Sequence, residues 1–466
     1  MKRPWLKCLL ITALCLPALF ASGQMDLPRY HYEPYVLKSG RFDGAPGRVT
    51  APYKEIIWGD GAPWMQIHIG DYHLGEGSSV TFSALADNQS LRLNARTIPQ
   101  YNNATALFNG DAVEVELHVA PGDKGAFIEI NGLTVGEWYG DDSAEGRQKI
   151  YVTSLCGATD DRVASTNNRC GRILVGGCSS FLVANGAVLT AGHCVDWDPD
   201  GGGAQLPDGV LDLTGVMEFQ VPDSQANGTP VMAAVNDQYP INLGSVVWHY
   251  EGENQGLGKD WAMFRCNPNA NTGLTAHVGQ SAFFRMTREA PSTVTGQVRI
   301  TGFGADSTPQ TANKTQQTHA GEYIGESTSG SSIWHQHRAD TMGASSGSPM
   351  IWEGDSNYTI GVHTNAGCSE TGGANSGTSF EHNALENAIN GIWGANTVFL
   401  DTISKAPAPS GTALEPYLSL NAAVAAVPAN GRISATARTH TLTSKPLVLG
   451  GKRLMIIAPT GPALFK

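Results

Sequence analysis

Three short stretches hold residues whose types and order fit nucleophilic catalysis. In Leu189-Thr190-Ala191-Gly192-His193-Cys194 a histidine follows a strand-like apolar run over 181–188 and stands beside a cysteine. A general base needs such fixing, because its ring nitrogen must meet a hydroxyl within hydrogen-bond reach and in a defined tautomer. In Lys259-Asp260-Trp261-Ala262-Met263-Phe264 a carboxylate stands at the mouth of a buried apolar strand, placed to orient that imidazole and stabilise its charged form. In Gly343-Ala344-Ser345-Ser346-Gly347-Ser348-Pro349 a turn of small residues can expose one serine hydroxyl and aim backbone amides at an oxyanion. Each stretch also has a plainer reading taken singly: a structural His-Cys pair, a turn aspartate, an ordinary loop. Their order along one chain is what argues for chemistry.

Such residues need rigid elements to hold them, and the sequence reads as all-β. Segments such as Met65-Gln66-Ile67-His68-Ile69, Ser90-Leu91-Arg92-Leu93 and Val113-Glu114-Val115-Glu116-Leu117-His118-Val119 alternate apolar and polar residues, the period-two pattern of half-buried strands. Residues 24–150 therefore predict a β-sandwich-like unit, either a propeptide that assists folding and masks a cleft or a retained accessory module. Residues 151–394 carry short strands, Gly and Asn turns and one helix near 383–392. A Pro- and Ala-rich stretch within 395–411 reads as a linker, and 412–466 as a short β segment.

Composition narrows the function. Charged residues are only 15% of the 466, Gly reaches 55 copies, and the formal charge is −12, which argues against disorder and against a phosphate backbone as partner. Residues 1–23 begin with Lys2, Arg3 and Lys7, run through an apolar stretch over 9–20 and end in Ala21-Ser22-Gly23, the pattern of an export signal. The stretch is shorter than the ~20 residues that span a bilayer, so the mature chain is expected to be secreted or periplasmic, with no membrane contact after signal removal. Six cysteines then remain, Cys156, Cys170, Cys178, Cys194, Cys266 and Cys368, an even number suited to an oxidising compartment.

The order His, Asp, Ser with these three motifs resembles the chymotrypsin-like serine peptidases, and the Ser-Gly-Ser-Pro turn is similar to their bacterial glutamyl and lysyl endopeptidase branches. The resemblance spans roughly 156–394 and implies a double β-barrel with His193 as general base, Asp260 as its orienting partner and Ser346 as acylating nucleophile. It implies an oxyanion hole from the amides of Ala344 and Ser346, a disulfide between Cys178 and Cys194, and pairings of Cys156 with Cys368 and Cys170 with Cys266. Ile300-Thr301-Gly302-Phe303-Gly304 resembles the family's strand entering the second barrel. Spacings of 67 from His193 to Asp260 and 86 from Asp260 to Ser346 are long for the family, and the Asp- and Gly-rich loop after Cys194 reads as an insertion. Two positions depart from the pattern. Ala344 stands where the family has Gly, and Ser345 replaces the acid that, in trypsin-like zymogens, captures a new N-terminal amine. Arg172-Ile173-Leu174-Val175-Gly176-Gly177 resembles an activation site yet abuts Cys178, so cleavage there is not expected to activate.

The implied substrates are peptides or proteins, and the pocket residues point two ways. Asp340 sits where trypsin-like enzymes hold the acid that receives Lys or Arg. Thr341 and His363 resemble the Thr and His that bind a Glu side chain in glutamyl endopeptidases. The second reading expects a bond that strengthens as His363 protonates near ~6.5 and fades at alkaline pH. No cofactor or metal is expected. Asp196, Asp198 and Asp200 before Gly201 resemble a calcium loop, but Pro207 occupies the twelfth position, where a bidentate Glu is wanted. His335 and His337 lack a matching ligand motif and read as surface histidines. The tail, through Gly431-Arg432-Ile433-Ser434 and Leu454-Met455-Ile456-Ile457, resembles the cap and first coils of a right-handed β-helix. A second functional reading, from the substitution at Ala344 and the flanking β units, is a catalytically silent homologue that binds protein or carbohydrate.

Overall fold

The computed structural model describes residues 29–139, 153–174, 177–196, 211, 215–252, 257–442 and 447–466. The export-signal reading of 1–23 and the Asp198 and Asp200 part of the calcium reading lie outside the described residues. The all-β expectation holds, and the period-two segments are strands: Ser90–Asn94 alternates exposed and buried positions, and Ala112–Val119 turns Val113, Val115, Leu117 and Val119 inward. These strands build two four-stranded sheets, one of Tyr30–Lys38, Phe127–Gly136, Trp64–His73 and Phe108–Asn109, the other of Thr50–Trp58, Ala112–Val119, Ser79–Ala84 and Ser90–Asn94. Their inner faces share one apolar core, as packed sheets require.

That core does not end at the sandwich. Leu174, Val216, Met232 and Val235 of the following unit belong to it, and buried polar pairs cross with it. Leu107 donates its amide to Gln238 Oε1 and accepts from Gln238 Nε2, both at 2.8 Å, while Asn109 and Met232 exchange a similar pair. The sandwich therefore docks on the outer strands of the first barrel.

The first barrel closes through Cys170–Ile173, Cys178–Leu182, Val188–Thr190, Trp261–Cys266, Gln238–His249 and Val216–Glu218, with Arg172 pairing Glu218 across the seam. Under that seam Arg172 makes a two-pronged salt bridge to Glu218, both side chains essentially unexposed, and its remaining donors meet the carbonyls of Lys314 and Val231. Arg172 is thus buried in the barrel wall. The second barrel runs Gln317–Ser329, Gln297–Gly302, Pro349–Trp352, Tyr358–Asn365, Asn375–Ser379 and Ser332–His337, and the last strand pairs back onto the first. The expected helix is Asn383–Gly391, with Leu385 and Ile389 buried.

In the tail, Thr397–Leu400, Gly431–Ala435 and Leu454–Ile457 form a parallel three-stranded ladder, and Arg438–His440 pairs Ala463–Phe465 in parallel. The linker expectation for 395–411 is therefore corrected at Thr397–Leu400. Its Leu400 is buried with the Leu420–Ala426 helix, and Phe399 with Leu385, Ile389 and Leu414. Arg285 and Arg288 tie the tail to the second barrel through Asp401 and Glu415.

Candidate active site

His193 sits in a short 3-10 turn, Gly192–Cys194, that ends the Val188–Thr190 strand of the first barrel. Asp260 opens the neighbouring strand Trp261–Cys266, whose pairing of Thr190 with Ala262 sets the two side by side. Asp260 Oδ2 lies 2.6 Å from His193 Nδ1, while its Oδ1 accepts the backbone amides of Gly192 at 2.6 Å and His193 at 3.0 Å. A carboxylate held by two amides keeps its second oxygen aimed, and that oxygen fixes the imidazole proton on Nδ1. Nε2 is then the basic nitrogen. It is buried and takes no partner among the described residues. The local sequence explains the turn: a Cβ on Gly192 would lie 2.2 Å from the His249 carbonyl, so the approach to Asp260 requires glycine. Cys178 and Cys194 are bridged with their Cα atoms 6.1 Å apart, and their sulfurs lie against the His193 ring.

Ser346 comes from the other barrel, on the turn before Pro349–Trp352. Its carbonyl accepts the Ser179 amide at 2.8 Å, one residue from Cys178, and its hydroxyl donates to the Thr364 carbonyl at 3.1 Å. His363, adjacent to Thr364, is near enough to His193 for His193 to lower its pKa. His193, against the Cys178–Cys194 bridge, and Ser346, held by the Ser179 amide, thus flank the same Cys178–Leu182 strand from the two barrels, with Asp260 behind His193. The fold is chymotrypsin-like.

In this chymotrypsin-like frame the Ser346 turn is braced from Ser179, whose hydroxyl donates to the Ala344 carbonyl and accepts the Phe303 amide, both at 2.8 Å. Ala344 has φ +72°, and Gly347 +84°. Alanine here takes a left-handed conformation that glycine adopts without cost. The turn thus has the backbone shape of a glycine turn despite the substitution.

The pocket residues separate clearly. Asp340 is buried, and its carboxylate accepts the amides of Cys156 at 2.7 Å and Asp161 at 2.9 Å. Thr341 Oγ1 accepts from Asn375 Nδ2 at 3.0 Å, and His363 pairs in register with Gly377 on the same strand as Asn375. The Ala339 amide donates to His337 Nδ1 at 3.1 Å, so His337 carries its proton on Nε2 and donates to His363 Nδ1 at 3.2 Å. That chain leaves the neutral His363 ring with its own proton on Nε2. Burial first, and nearby His193 second, push His363 down to about 3 against the opposing Ser376 backbone. The expected protonation near 6.5 is thereby corrected: in the unliganded protein His363 is a neutral donor at physiological pH.

His335 and His337 are buried, correcting the surface reading. Tyr323 Oη lies 2.9 Å from His335 Nδ1, and desolvation holds His335 near 4 and His337 well below its ordinary value. Cys156 and Cys368 are bridged as the resemblance implied, but Cys170 and Cys266 are free thiols. Cys170 packs among Phe181, Val183 and Phe284, whereas Cys266 borders the first barrel's own core, so the two face different clusters. Asp196 accepts the Trp248 indole N–H at 2.9 Å. Sequence reasoning missed Ser179, Asn375 and Thr364, whose roles arise from partners more than ten residues away along the chain.

No family model matches the chain, and no curated protein matches it. Among solved structures, a Glu endopeptidase in complex with MPD is 22% identical over 51% of this chain and 98% of that one, with a TM-score of 0.36. The thermostable serine protease AL20 from an extremophilic microorganism is 18% identical over 47% of this chain and 93% of its own, at 0.34. Protease Anisep from Arthrobacter nicotinovorans is 16% identical with the same coverages and TM-score.

Proposed function

We propose that this chain is an exported serine endopeptidase that hydrolyses peptide bonds through an acyl-enzyme, with Glu preferred on the acyl side. The observation that carries the reading is the 2.6 Å contact between His193 Nδ1 and a buried Asp260 that two amides hold in place. It leaves His193 Nε2 basic, as proton transfer from Ser346 requires. In the reaction Ser346 Oγ leaves Thr364, passes its proton to His193 Nε2 and attacks the scissile carbonyl. Asp260 stabilises the imidazolium, and the Ala344 and Ser346 amides receive the oxyanion. His193 then protonates the leaving amine, and water, activated by the same nitrogen, releases the acyl group.

For the pocket, Asp340 is engaged by Cys156 and Asp161, whereas Thr341, His363 and Asn375 converge on one strand. A neutral Nε2–H donor and a hydroxyl suit a carboxylate side chain, and its arrival would raise the His363 pKa. Two disulfides fit an oxidising compartment. Among the described residues no helix is long and apolar enough to cross a membrane. The silent-homologue reading loses its main support, since Ala344 adopts the glycine-like conformation.

An organophosphorus fluoride tests the reading directly, because only a serine activated by a paired base reacts quickly. Mass spectrometry is expected to find one adduct, on Ser346, absent from His193→Ala. A protein that takes no label and cleaves no casein is not a peptidase.

A further inference from the structure

The nucleophile turn lacks the acid that an N-terminal amine would order, since Ser345 fills that position, yet a buried cation stands behind it. Arg162 is 3% exposed. Its Nε and Nη2 grip Asp160, with Nη2 2.6 Å from Oδ2, and Nη2 also reaches the Ala305 carbonyl at 3.2 Å and Asp306 at 3.4 Å. Its Nη1 is buried and takes no partner among the described residues. Gly304 locates that nitrogen: a Cβ there would lie 2.6 Å from Arg162 Nη1, 2.9 Å from Ser345 Oγ and 3.4 Å from Met342 Cβ. The guanidinium and the Ser345 hydroxyl are therefore neighbours across a glycine. The same loop is latched to the turn, because the Ala305 amide donates to the Gly343 carbonyl at 2.7 Å.

We infer that Arg162 is a positioning residue for the oxyanion turn, holding Gly343 to Ser346 in shape from behind through Ser345 and the 304–306 loop. This rests on the peptidase reading. A buried guanidinium with one idle donor is costly unless that donor serves the adjacent dipoles, and Ser345 Oγ is one polar atom that flanks Gly304 with it. Ser345 Oγ is itself used, accepting the Met342 amide at 3.2 Å. Arg162 holds the Ala305 carbonyl, and the Ala305 amide in turn holds the Gly343 carbonyl of the turn that presents the Ala344 and Ser346 amides. Order would thus come from within the chain, with no freed N-terminus inserted behind the nucleophile.

The test uses the full chain and p-nitrophenyl acetate, which needs the triad and the oxyanion amides but no side-chain pocket. Arg162→Ala is expected to lower kcat about tenfold or more, short of the 10²–10³ seen when an oxyanion donor is lost outright, with KM within about twofold. Millimolar guanidinium should restore part of that loss, and Arg162→Lys should fall between. A folded Arg162→Ala enzyme with kcat within twofold of wild type, or a loss confined to KM, overturns the proposal. If Arg162→Ala does not fold, Gly304→Ala carries the test, since its Cβ would clash with both Arg162 Nη1 and Ser345 Oγ and displace them. Its kcat must fall at unchanged KM, and wild-type kcat there overturns the proposal. A wild-type chain inert towards both this ester and casein overturns the peptidase reading itself and this inference with it, whereas an active wild type beside an unimpaired Arg162→Ala removes the inference alone.

Discussion

The Cys156 amide donates to the Asp340 carboxylate at 2.7 Å, and this bond decides how the pocket's charge is read. With the Asp161 amide on its other oxygen, Asp340 ties down the segment entering the domain. A fluorogenic library varied at P1 is expected to favour Glu. His363→Ala should cut kcat/KM for Glu at least tenfold, because a buried carboxylate would lose its donor. A Lys or Arg preference that Asp340→Asn abolishes and His363→Ala leaves intact would reverse the assignment.

Removing the triad is the second prediction. Ser346→Ala or His193→Ala should each lower kcat by several orders of magnitude, and Asp260→Asn by about 10⁴, since the groups act as a unit. Near-UV circular dichroism must stay that of the wild type for the comparison to count, and wild-type turnover in a folded variant refutes these catalytic roles.

Thiol chemistry offers a third check. Cys170 and Cys266 are free and buried, and desolvation raises both thiols, Cys170 to about 12. Iodoacetamide should label neither in the native protein and both after unfolding without reductant. Peptide mapping should then find Cys156 linked to Cys368 and Cys178 to Cys194. A Cys170 to Cys266 linkage in the purified protein would contradict the structure.

Acid sensitivity follows from the buried histidines. His363 is held near 3 and His335 and His277 near 4, all by burial first, and each would titrate near 6.5 when unfolded. Because the folded values are depressed, the unfolded chain binds more protons below 6.5, so stability falls as pH drops from about 6.5 towards 4. The slope is on the order of 1 kcal/mol per pH unit for each histidine. Urea denaturation at pH 7 and pH 5 should show this loss, and equal midpoints would mean that the histidines are charged or exposed in the native state.

Ala344→Gly probes the backbone at the oxyanion turn. With φ at +72°, alanine carries a steric cost that glycine lacks, so the variant should gain up to about 1 kcal/mol in urea denaturation and keep or raise kcat. A destabilised variant would show that the turn is unstrained.

The sequence by itself determined the candidate residues for the chemistry and the class of element around them. The order of the His193, Asp260 and Ser346 motifs is local information, because each stretch of small or apolar residues shapes its own turn or strand. The alternation in Val113-Glu114-Val115 likewise fixes which face is buried, whatever it packs against. Pairings across the chain are another matter. That Asp340 commits its charge to the amides of Cys156 and Asp161, that His337 sets the tautomer of His363, that Arg162 stands behind Ser345, and that Cys170 and Cys266 face different cores all depend on segments far apart in sequence. A hydrogen bond exists only when donor and acceptor lie within about 3.5 Å along a suitable direction. Only the closing of two barrels brings those atoms to that range.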